Sequence, residues 1–549
     1  MGGGAARVTQ ALMRALAAAD APACAAILFD SVQGRGRLAY EPAQVEAWAP
    51  SPLDPAVFTA AIAGGYGLGA LRDGRLIGFI LCGRDGRLDC FYVESAAAGQ
   101  GIGAALLAAF EDEMRARDMP ALTTQASLLL QPMLERRGWR NLGEEIVTRN
   151  GVGLARFVME KRLGPAAATI AAQAGHALDP ATGAVAPPIQ PATTFARDFD
   201  YALKGPYLYA RYGGPTDGLA EAIIAKLEGA RGAKSFPSGL AAIAAILDLL
   251  PAGAHIVAPR AMYYAAKAWM RRQEAMGRLC LSEYDNSDLA SLERAVAART
   301  THLIWAETPA NPSWEVTDLA GASAIAKGAG ALLGVDGTCA PPVTTRALDW
   351  GADLVMHSAT KYLNGHSDVT AGVVSTRDAS LLEGLEAIRR ATSAPLAAFE
   401  AWLLVRGMRT LEARFRRQSA SAMELAHWLA DQDGVERVLF PGLPSHPGHE
   451  LAARQMRGGF GAMISFIVEG GLAAAKQVAT ACKVFIPATS LGSVESLIEH
   501  RKPVEGPSSL VPDGLLRLSV GLEDVEDLRA DLAQALAGLA GRRGPAQEV

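Results

Sequence analysis

Residues 357–368 read HSATKYLNGHSD, and this stretch decides the fold of most of the chain. It begins where the apolar run DLVMHS ends, so Lys361 lies just after a predicted buried strand. Ser358 and Thr360 beside it carry hydroxyls that can donate hydrogen bonds to a phosphate. A lysine amine forms an imine with an aldehyde when burial or nearby positive charge lowers its pKa. Taken alone, the stretch is more often a surface loop with an ordinary lysine, so its surroundings carry the argument.

Features upstream of this lysine indicate a site for a flat, phosphorylated ring. Gly239 and Leu240 open the helix LAAIAAILDLL, which is apolar on all sides and therefore buried. The free N–H groups at such a helix start suit a phosphate. Asp336 ends the apolar run ALLGVD, where a carboxylate can keep a ring nitrogen protonated. Tyr263 follows the run HIVAP and can stack on the ring, with the adjacent Tyr264 as the alternative.

The apolar runs of this region alternate with helical patterns. HIVAP, THLIWAE, ALLGVD and DLVMHS are separated by helical stretches, which predicts a parallel sheet covered by helices. The earlier part of the chain has short strands joined by turns such as RDGR at 72–75, and then the helix GIGAALLAAFEDEMRARD. An Ala-, Gly- and Pro-rich segment separates the two patterns. We therefore predict a first domain at 1–163, a linker and arm at 164–224, a large domain at 225–415 and a small domain at 416–549.

The charge and the cysteines exclude several classes of protein. The 549 residues carry 52 basic and 57 acidic side chains, and no basic stripe marks a nucleic-acid surface. The six cysteines are scattered without a CxxC pair or a histidine cluster, so neither a disulfide framework nor a metal site is expected. No apolar run reaches the length of about 18 residues that a membrane span needs, and the N-terminus lacks the apolar core of a signal peptide. We expect a cytoplasmic enzyme without nucleic-acid or membrane partners.

From about residue 165 to the end, the chain resembles the Cys/Met-metabolism family of fold-type I enzymes that use pyridoxal 5'-phosphate (PLP). The resemblance runs in order through GAVAPPIQPATTF, YARYGGPT, FPSGLAAI, ETPANP, HSATKYLNGHSD, SLGSVESLIEH and LLRLSVGLEDVEDL. The family includes cystathionine γ-synthase, cystathionine γ-lyase, methionine γ-lyase and cystathionine β-lyase. The resemblance implies an α/β fold with a large parallel-sheet domain and a smaller C-terminal α/β domain. It also implies PLP as cofactor, small amino acids as substrates and a homotetramer built from dimers.

The resemblance carries roles onto matching residues. It implies that Lys361 binds PLP as a Schiff base and then moves protons, that Asp336 holds the ring nitrogen, and that Tyr263 stacks on the ring. The residues implied to hold the phosphate from within the chain are Gly239, Leu240, Ser358 and Thr360. Tyr209 and Arg211 match the motif that reaches the phosphate of a neighbouring subunit.

Substrate binding follows from the same resemblance, but the reaction stays open. Arg517 matches the arginine that clamps the substrate α-carboxylate, assisted by Asn311 and the backbone at Ser490. Thr489 stands where γ-synthases and γ-lyases often carry Glu and β-lyases carry Tyr, which weakens the case for recognising a distal amino group. We expect γ-elimination or γ-replacement on a sulfur-containing or O-acyl-homoserine-type amino acid. A β-lyase acting on cystathionine or a cysteine conjugate is the alternative.

Residues of about 20–163 resemble the GNAT superfamily of N-acetyltransferases. The matching parts are EPAQVEAWAP, DCFYV, the glycine loop, TTQASLLLQPMLERRGW and VGLARFVMEK. This implies acetyl-CoA as acyl donor, with its pyrophosphate at the N–H groups of Gly99, Gly101 and Gly103. The chain departs from the pattern at Ala98, where Arg or Gln is usual, and at Met133, where an aromatic residue is frequent. We therefore expect a bifunctional protein, and a first domain that only binds acetyl-CoA or aids assembly is the alternative.

Overall fold

The computed structural model describes residues 11–84, 86–117, 119, 121–174, 178–179, 181–506, 509 and 511–540. It divides into two compact units, Met1–Ala166 and Ala167–Val549. The ends of the predicted first and last domains, residues 1–10 and 541–549, lie outside the described residues.

The first unit is built on one mixed sheet flanked by helices. Its strands are β1 Leu12–Ala15, β2 Tyr66–Arg72, β3 Arg75–Cys82, β4 Arg87–Val93, β5 Ala121–Ser127, β6 Arg140–Arg149 and β7 Val152–Arg162. Its helices are α1 Ala21–Arg35, α2 Pro42–Trp48, α3 Pro55–Gly64, α4 Ile102–Ala116 and α5 Gln131–Arg136. The seven strands are ordered β1-β2-β3-β4-β5-β7-β6. The predicted turn at 72–75 joins β2 to β3, since Asp73 and Gly74 have the positive φ of 52° and 77° that such a two-residue hairpin requires.

The parallel strands β4 and β5 diverge along their length. They pair only at Arg87 with Thr123 and at Leu88 with Thr124. Each strand continues beyond these pairs, β4 to Val93 and β5 to Ser127, without pairing to the other. The opening between the two strand ends leaves room for a ligand beside the start of α4.

The second unit contains two sheets. Its strands are β8 Gly232–Phe236, β9 Ala254–Pro259, β10 Leu279–Tyr284, β11 Thr301–Glu307, β12 Leu332–Asp336, β13 Leu354–His357, β14 Gly372–Thr376, β15 Val435–Leu439, β16 Met463–Val468, β17 Ile486–Pro487, β18 Leu497–His500 and β19 Leu515–Ser519. Its helices are α6 Ala167–Ala172, α7 Pro215–Glu228, α8 Gly239–Asp248, α9 Tyr264–Ala275, α10 Leu289–Ala297, α11 Leu319–Ala329, α12 Ala379–Thr392, α13 Ala398–Met408, α14 Leu411–Ala430, α15 His449–Gln455, α16 Gly471–Ala481, α17 Arg501–Glu505 and α18 Val525–Ala540.

The large sheet has the order β10-β9-β11-β12-β13-β14-β8. Strands β9 to β13 run parallel, which confirms the α/β class predicted from the alternating apolar runs. Strand β14 is antiparallel to both of its neighbours, a feature that the sequence did not reveal. The loop between β13 and β14 contains no crossover helix, and a crossover is what a parallel return requires. This loop carries Lys361. The smaller sheet, ordered β15-β16-β19-β18-β17, completes the predicted small α/β domain.

The predicted boundaries cut through some elements. Helix α6 lies within the segment predicted as a linker, where its alanine content is masked by the glycines and prolines on either side. Helix α7 begins before residue 225 and ends after it, and helix α14 spans residue 416 in the same way. Both helices run without interruption through these positions, so neither residue 225 nor residue 416 lies between two elements of secondary structure.

Three features of the described residues concern membrane spans, metal sites and disulfides. No helix in them is long and apolar enough to cross a membrane. No three His, Cys, Asp or Glu side chains in the same described ranges are grouped so that they could hold a metal ion. All six cysteines are free thiols. The cytoplasmic location stays a prediction.

Candidate active site

The candidate site of the second unit lies where the parallel strands end. Strands β11 and β12 end at Glu307 and Asp336, and β9 and β13 are followed by the loops that carry Tyr263 and Lys361. Because the carboxyl ends of parallel strands meet at one edge of a sheet, side chains far apart in sequence come together there. The smaller sheet contributes Arg517 from β19.

Lys361 is held against the segment that leads into β18. Its Nζ donates to Ser490 Oγ at 2.9 Å. Burial, followed by the positive charge of Arg517, lowers the pKa of the Lys361 amine. Ser490 has an unusual backbone φ of 152° for a residue other than glycine. A lysine in this state loses its proton more readily and can act as a nucleophile or a proton carrier.

The backbone that follows Lys361 is fastened by a buried arginine, Arg414 of α14. Its Nη2 donates to the carbonyl of Tyr362 at 3.0 Å and to that of Gly407 at 2.9 Å. Its Nε donates to Thr410 Oγ1 at 3.0 Å. Burial lowers the pKa of Arg414 to about 10. The sequence analysis missed this residue, because a lone arginine in an amphipathic helix carries no local signal of its partners.

Asp336 and Glu307 form a pair of buried carboxyl groups. Burial raises the pKa of Asp336, and burial followed by the charge of Asp336 raises the pKa of Glu307 to about 8. Asp336 Oδ1 accepts the N–H of Thr338 at 2.9 Å. His357 Nε2 lies 2.5 Å from Glu228 Oε1, and His357 acts to lower the pKa of Asp336 against the larger effect of burial. The arrangement keeps Asp336 oriented to hold a proton on a ring nitrogen.

Glu307 also fixes the two loops on either side of it. Its Oε2 accepts the N–H of Tyr263 at 2.6 Å, and its Oε1 accepts the N–H of Asn311 at 2.9 Å. Burial raises the pKa of the Tyr263 hydroxyl, and the Asp336 carboxylate acts in the same direction. The neighbouring Tyr264 ring faces Arg501 instead, with 5.9 Å between guanidinium and ring centre. Of the two tyrosines, Tyr263 is therefore the one directed at the carboxyl pair.

Arg517 is buried and surrounded by partners that fix its orientation. Its Nη1 donates to Asn311 Oδ1 at 3.0 Å, and its Nη2 donates to the carbonyl of Ser490 at 2.9 Å. The Glu499 carboxylate lies 2.6 Å from Nη2, and it also accepts Arg501 Nη1 at 2.6 Å. Burial lowers the pKa of Arg517 to about 10. Its Nε is buried without a partner among the described residues, so a bound carboxylate would satisfy it.

The start of α8 offers free donors next to Ser358. Ser238 Oγ accepts the N–H of Ala241 at 3.1 Å, while the N–H groups of Gly239 and Leu240 have no partner among the described residues. A Cβ added to Gly239 would come within 2.8 Å of the Ser358 Cβ, so only glycine permits this close approach. The hydroxyl of Thr360 donates to the carbonyl of Ala371 at 3.1 Å. Its hydrogen is therefore engaged within the protein.

The chemical groups of this site fit PLP. They comprise an amine of lowered pKa for an aldehyde, a buried carboxylate for a ring nitrogen and free N–H groups at a helix start for a phosphate. The structure brings five of the predicted residues together. Lys361 and Arg517 both bond to Ser490, and Arg517 also bonds to Asn311. Glu307 accepts the N–H groups of Tyr263 and Asn311, and Asp336 acts on the pKa of Tyr263.

Tyr209 and Arg211 lie apart from this group within the chain. Both are exposed, and the Arg211 guanidinium is 5.4 Å from the ring centres of Tyr209 and Tyr212. Exposed apolar side chains accompany them along the same arm, and Phe199 is 95% and Tyr201 75% exposed. Within the described part of the chain, no hydrogen bond or ion pair connects either residue to Lys361.

The first unit contains a cavity of about 330 Å³ at the divergent ends of β4 and β5. The strands contribute Phe91, Tyr92 and Val93 on one side and Ser127 on the other. The glycine loop borders it through Gly99, Gly101 and Gly103. Gly99 and Gly101 have φ values of 76° and 83°, which other residues adopt only with strain, so the loop needs glycine there.

Tyr92 of β4 supplies a hydroxyl to this cavity. The Trp48 side chain beside the Tyr92 hydroxyl acts to lower its pKa, against the larger effect of burial. Burial raises the pKa of Tyr92, so the hydroxyl stays protonated at neutral pH. The segment ASLLLQPMLERRGW contains no tyrosine, and Tyr92 enters the cavity from a strand instead. Its position in DCFYV is the only local signal that could have indicated it.

Comparison with known proteins agrees with both parts of the chain. The family model of the Cys/Met metabolism PLP-dependent enzymes matches residues 168–537, and that of the GNAT acetyltransferase domain matches residues 37–163. Cystathionine gamma-synthase of Mycobacterium tuberculosis is 42% identical over 375 residues, covering 67% of this chain and 96% of the relative. Cystathionine beta-lyase of Coxiella burnetii is 41% identical over 375 residues, covering 66% of this chain and 96% of the relative.

Solved structures give the same result. The crystal structure of cystathionine gamma synthase from Xanthomonas oryzae pv. oryzae in complex with cystathionine is similar with a TM-score of 0.67 and 40% identity. The similarity covers 69% of this chain and 99% of that chain. The chain therefore belongs to the Cys/Met metabolism family of PLP-dependent enzymes and carries a GNAT acetyltransferase domain on the N-terminal side of it.

Proposed function

We propose that the second unit catalyses γ-elimination or γ-replacement on a sulfur-containing or O-acyl-homoserine-type amino acid. The observation that carries this proposal is the joining of Lys361 and Arg517 through Ser490, which bonds to one by its hydroxyl and to the other by its carbonyl. An amine that moves protons thus lies next to a guanidinium that can hold a substrate carboxylate. Removal of the proton from the carbon next to that carboxylate is the common first step of elimination and replacement.

In this proposal PLP, when bound, withdraws electrons from the substrate and so makes its α- and β-protons acidic. Lys361 takes up and returns protons, which its lowered pKa favours. Asp336 holds the proton on the ring nitrogen, and Tyr263 stacks on the ring. Arg517 and Asn311 orient the α-carboxylate, while Gly239, Leu240 and Ser358 hold the phosphate and Thr360, bonded to Ala371, supports the loop beside it.

The residues around Thr489 support a substrate without a distal ammonium group. The nearby Glu499 carboxylate is shared by Arg517 and Arg501, and these arginines together with Thr489 lower the pKa of Glu499 against the effect of burial. Position 489 itself has no carboxylate, and the Glu499 carboxylate is occupied by the two arginines, so neither residue attracts a second ammonium group. An acyl-homoserine or a thioether without a distal charge therefore fits these residues better than the charged distal end of cystathionine does.

The test is a panel of substrates given to the full chain reconstituted with PLP. Cystathionine, methionine, cysteine and O-acyl-homoserines are supplied with and without thiols, and the products are identified. 2-Oxobutyrate or a new thioether at the γ-carbon supports the proposal, whereas pyruvate as the main product from every substrate overturns it in favour of a β-lyase. Lys361→Ala should abolish turnover and the visible absorbance of the lysine-bound cofactor.

We also propose that the second unit works as a homo-oligomer in which Tyr209 and Arg211 reach the phosphate of a neighbouring subunit. The exposure of both residues, and of the apolar side chains along the same arm, supports this. Arg211→Gln should weaken PLP binding although the residue makes no contact with Lys361 in its own chain. Light scattering gives the oligomeric state, and a monomer that binds PLP normally contradicts the proposal.

For the first unit we propose acyl transfer from acetyl-CoA to an amine. The glycine loop beside the opening between β4 and β5 supports acetyl-CoA binding, because N–H groups at the start of α4 suit a pyrophosphate. In this proposal Tyr92, which lines the cavity, gives a proton to the departing thiolate. Calorimetry with acetyl-CoA tests the proposal, since absence of binding excludes transfer, and binding without release of free CoA on a panel of amines indicates a domain that only binds.

A further inference from the structure

The cavity of the first unit has an unusual charge balance. Its lining contains a single charged side chain, Arg35, and no Asp, Glu or Lys among the residues that the structure describes. The other lining side chains are apolar, aromatic or hydroxyl-bearing, and they include Val32, Trp48 and Leu130. A site for a polyamine or another polycation needs carboxylates, so this cavity does not match such an acceptor.

Arg35 has no internal partner that explains its position. It lies in the last turn of α1, is exposed, and takes part in no hydrogen bond or ion pair with the part of the chain that the structure covers. Arg14 and Arg75 of the same unit are instead paired with carboxylates, at 2.7 Å to Asp20 and 2.5 Å to Glu94. A guanidinium that faces a cavity without a partner is ready to receive an anionic ligand.

The end of α1 is attached to the segment that leads into the glycine loop. Asp30 Oδ2 accepts the N–H of Ser95 at 2.6 Å, and the Ser95 hydroxyl donates to the carbonyl of Asp30 at 3.0 Å. Gly34 approaches the same serine so closely that a Cβ would lie 2.3 Å from its Oγ. Arg35 follows directly, so its backbone is anchored next to the loop at Gly99 and does not depend on a flexible segment.

A second positive charge, that of Arg149, acts on the Tyr92 hydroxyl at the cavity. The turn between β6 and β7 is tied to the end of α2, because Asn150 Nδ2 donates to the carbonyl of Ala47 at 3.1 Å. Arg149, next to Asn150, contributes a positive charge at the Tyr92 hydroxyl. The part of the cavity around Trp48 and Tyr92 is therefore aromatic, and Arg149 acts on it without lining it.

We propose that the first unit acetylates the amine of a small amino acid whose carboxylate is bound by Arg35. The inference rests on the proposed acyl transfer and names the acceptor of that reaction. The apolar lining favours an acceptor with an uncharged, apolar side chain, and the carboxylate is the feature that Arg35 selects. The substrates of the second unit belong to the same chemical class, so both units would act on amino acids.

The reaction balances without any further reagent. The neutral amine nitrogen forms a bond to the thioester carbonyl carbon, and the carbon–sulfur bond breaks with its electron pair on sulfur. One proton leaves the nitrogen for solvent, and the thiolate takes a proton from the Tyr92 hydroxyl, which solvent then restores. The products are an N-acetyl amino acid and free CoA.

The test compares amino acids with their own amides in the full chain. L-Methionine and other apolar L-amino acids are supplied with acetyl-CoA next to the corresponding amides, and free CoA is measured. We expect kcat/KM to be at least about tenfold higher for the acids, since only they form charged hydrogen bonds with Arg35. Arg35→Gln should raise KM for the acids about tenfold or more and leave the amides unchanged, because the amides make no ion pair with it.

Arg37→Gln is the matched control. Arg37 is exposed two residues further along, bonds to Gln33 Oε1 at 3.3 Å and does not line the cavity. Calorimetry gives a second readout, in which Arg35→Gln weakens methionine binding to the CoA complex but not acetyl-CoA binding. Equal use of acids and amides, transfer to none of the amino acids, or weaker acetyl-CoA binding in Arg35→Gln overturns the inference. Absence of acetyl-CoA binding in the unsubstituted protein refutes the acyl transfer itself.

Discussion

Replacing Glu307 with Gln should impair catalysis although Glu307 is not proposed to contact the substrate or the cofactor. Its two carboxylate oxygens accept the N–H groups of Tyr263 and Asn311, at 2.6 and 2.9 Å. A glutamine amide has one acceptor oxygen and an NH₂ group that cannot accept. One of the two buried N–H groups therefore loses its acceptor, and the loop it belongs to shifts.

The size of the effect follows from that lost hydrogen bond. A buried donor left without an acceptor costs about 1–3 kcal/mol, and about 1.4 kcal/mol corresponds to a factor of ten in rate. We expect kcat/KM of Glu307→Gln to fall about 5- to 150-fold. PLP should stay bound, because Lys361 and Asp336 are unchanged.

The same variant should change the pH dependence of stability in the protein without PLP. Burial, followed by the charge of Asp336, raises the pKa of Glu307 from 4.5 to about 8 in the folded protein. An acid with a raised pKa binds its proton more tightly when folded, so the free energy of unfolding falls as pH rises between these two values. Glutamine does not ionise. The difference in Tm between wild type and Glu307→Gln should therefore narrow as pH is raised from 5 to 9.

Glu274→Gln provides the control. Glu274 also accepts a backbone N–H, from Leu281 at 2.9 Å, but it lies in the last turn of α9 and is partly exposed. Steady-state kinetics with the substrate identified from the panel should show a change below about twofold, because surface substitutions outside special sites have effects within about 0.5 kcal/mol. If Glu307→Gln also stays within twofold, the two N–H groups do not depend on the carboxylate and the reasoning is refuted.

Three further changes test other parts of the two sites. Arg517→Lys should raise KM about 10- to 100-fold in steady-state kinetics, because lysine cannot bind a carboxylate through two parallel N–H groups; an unchanged KM would argue against a carboxylate clamp. Arg414→Met should weaken PLP binding about tenfold in a fluorescence titration, since two buried carbonyls, of Tyr362 and Gly407, lose a donor; equal affinity would mean that the loop is held without it. Gly101→Ala should reduce acetyl-CoA affinity measured by calorimetry, because its φ of 83° costs an alanine about 1–2 kcal/mol; unchanged affinity would remove the loop from the binding site.

Four site residues show how much of the candidate site could be predicted from the sequence. Asp336 and Tyr263 were found because each directly follows or ends an apolar run, and the ends of parallel strands share one edge of the sheet. Arg517 and Asn311 are 206 residues apart, and no spacing rule connects them. The resemblance to known motifs supplied both, yet the hydrogen bond between them appeared only in the structure.

Other residues were missed, although Glu307 ends the apolar run THLIWAE just as Asp336 ends ALLGVD. Glu307 and Arg414 were missed, because a buried acid or base is recognised by what surrounds it and its neighbours in space come from distant segments. The antiparallel strand β14 was missed for a similar reason, since its direction depends on the loop that precedes it and not on its own apolar pattern.

The sequence by itself determined the fold class, the family and the chemical type of each site, because hydrophobic periodicity, glycine positions and residue chemistry are local properties of the chain. The tertiary structure decided which charges meet. It joined Lys361 to Ser490 across 129 residues, coupled Glu307 to Asp336 and left Arg35 facing a cavity without a partner. Electrostatic influence and hydrogen bonding depend on distance and burial in space, and these exist only once the chain is folded.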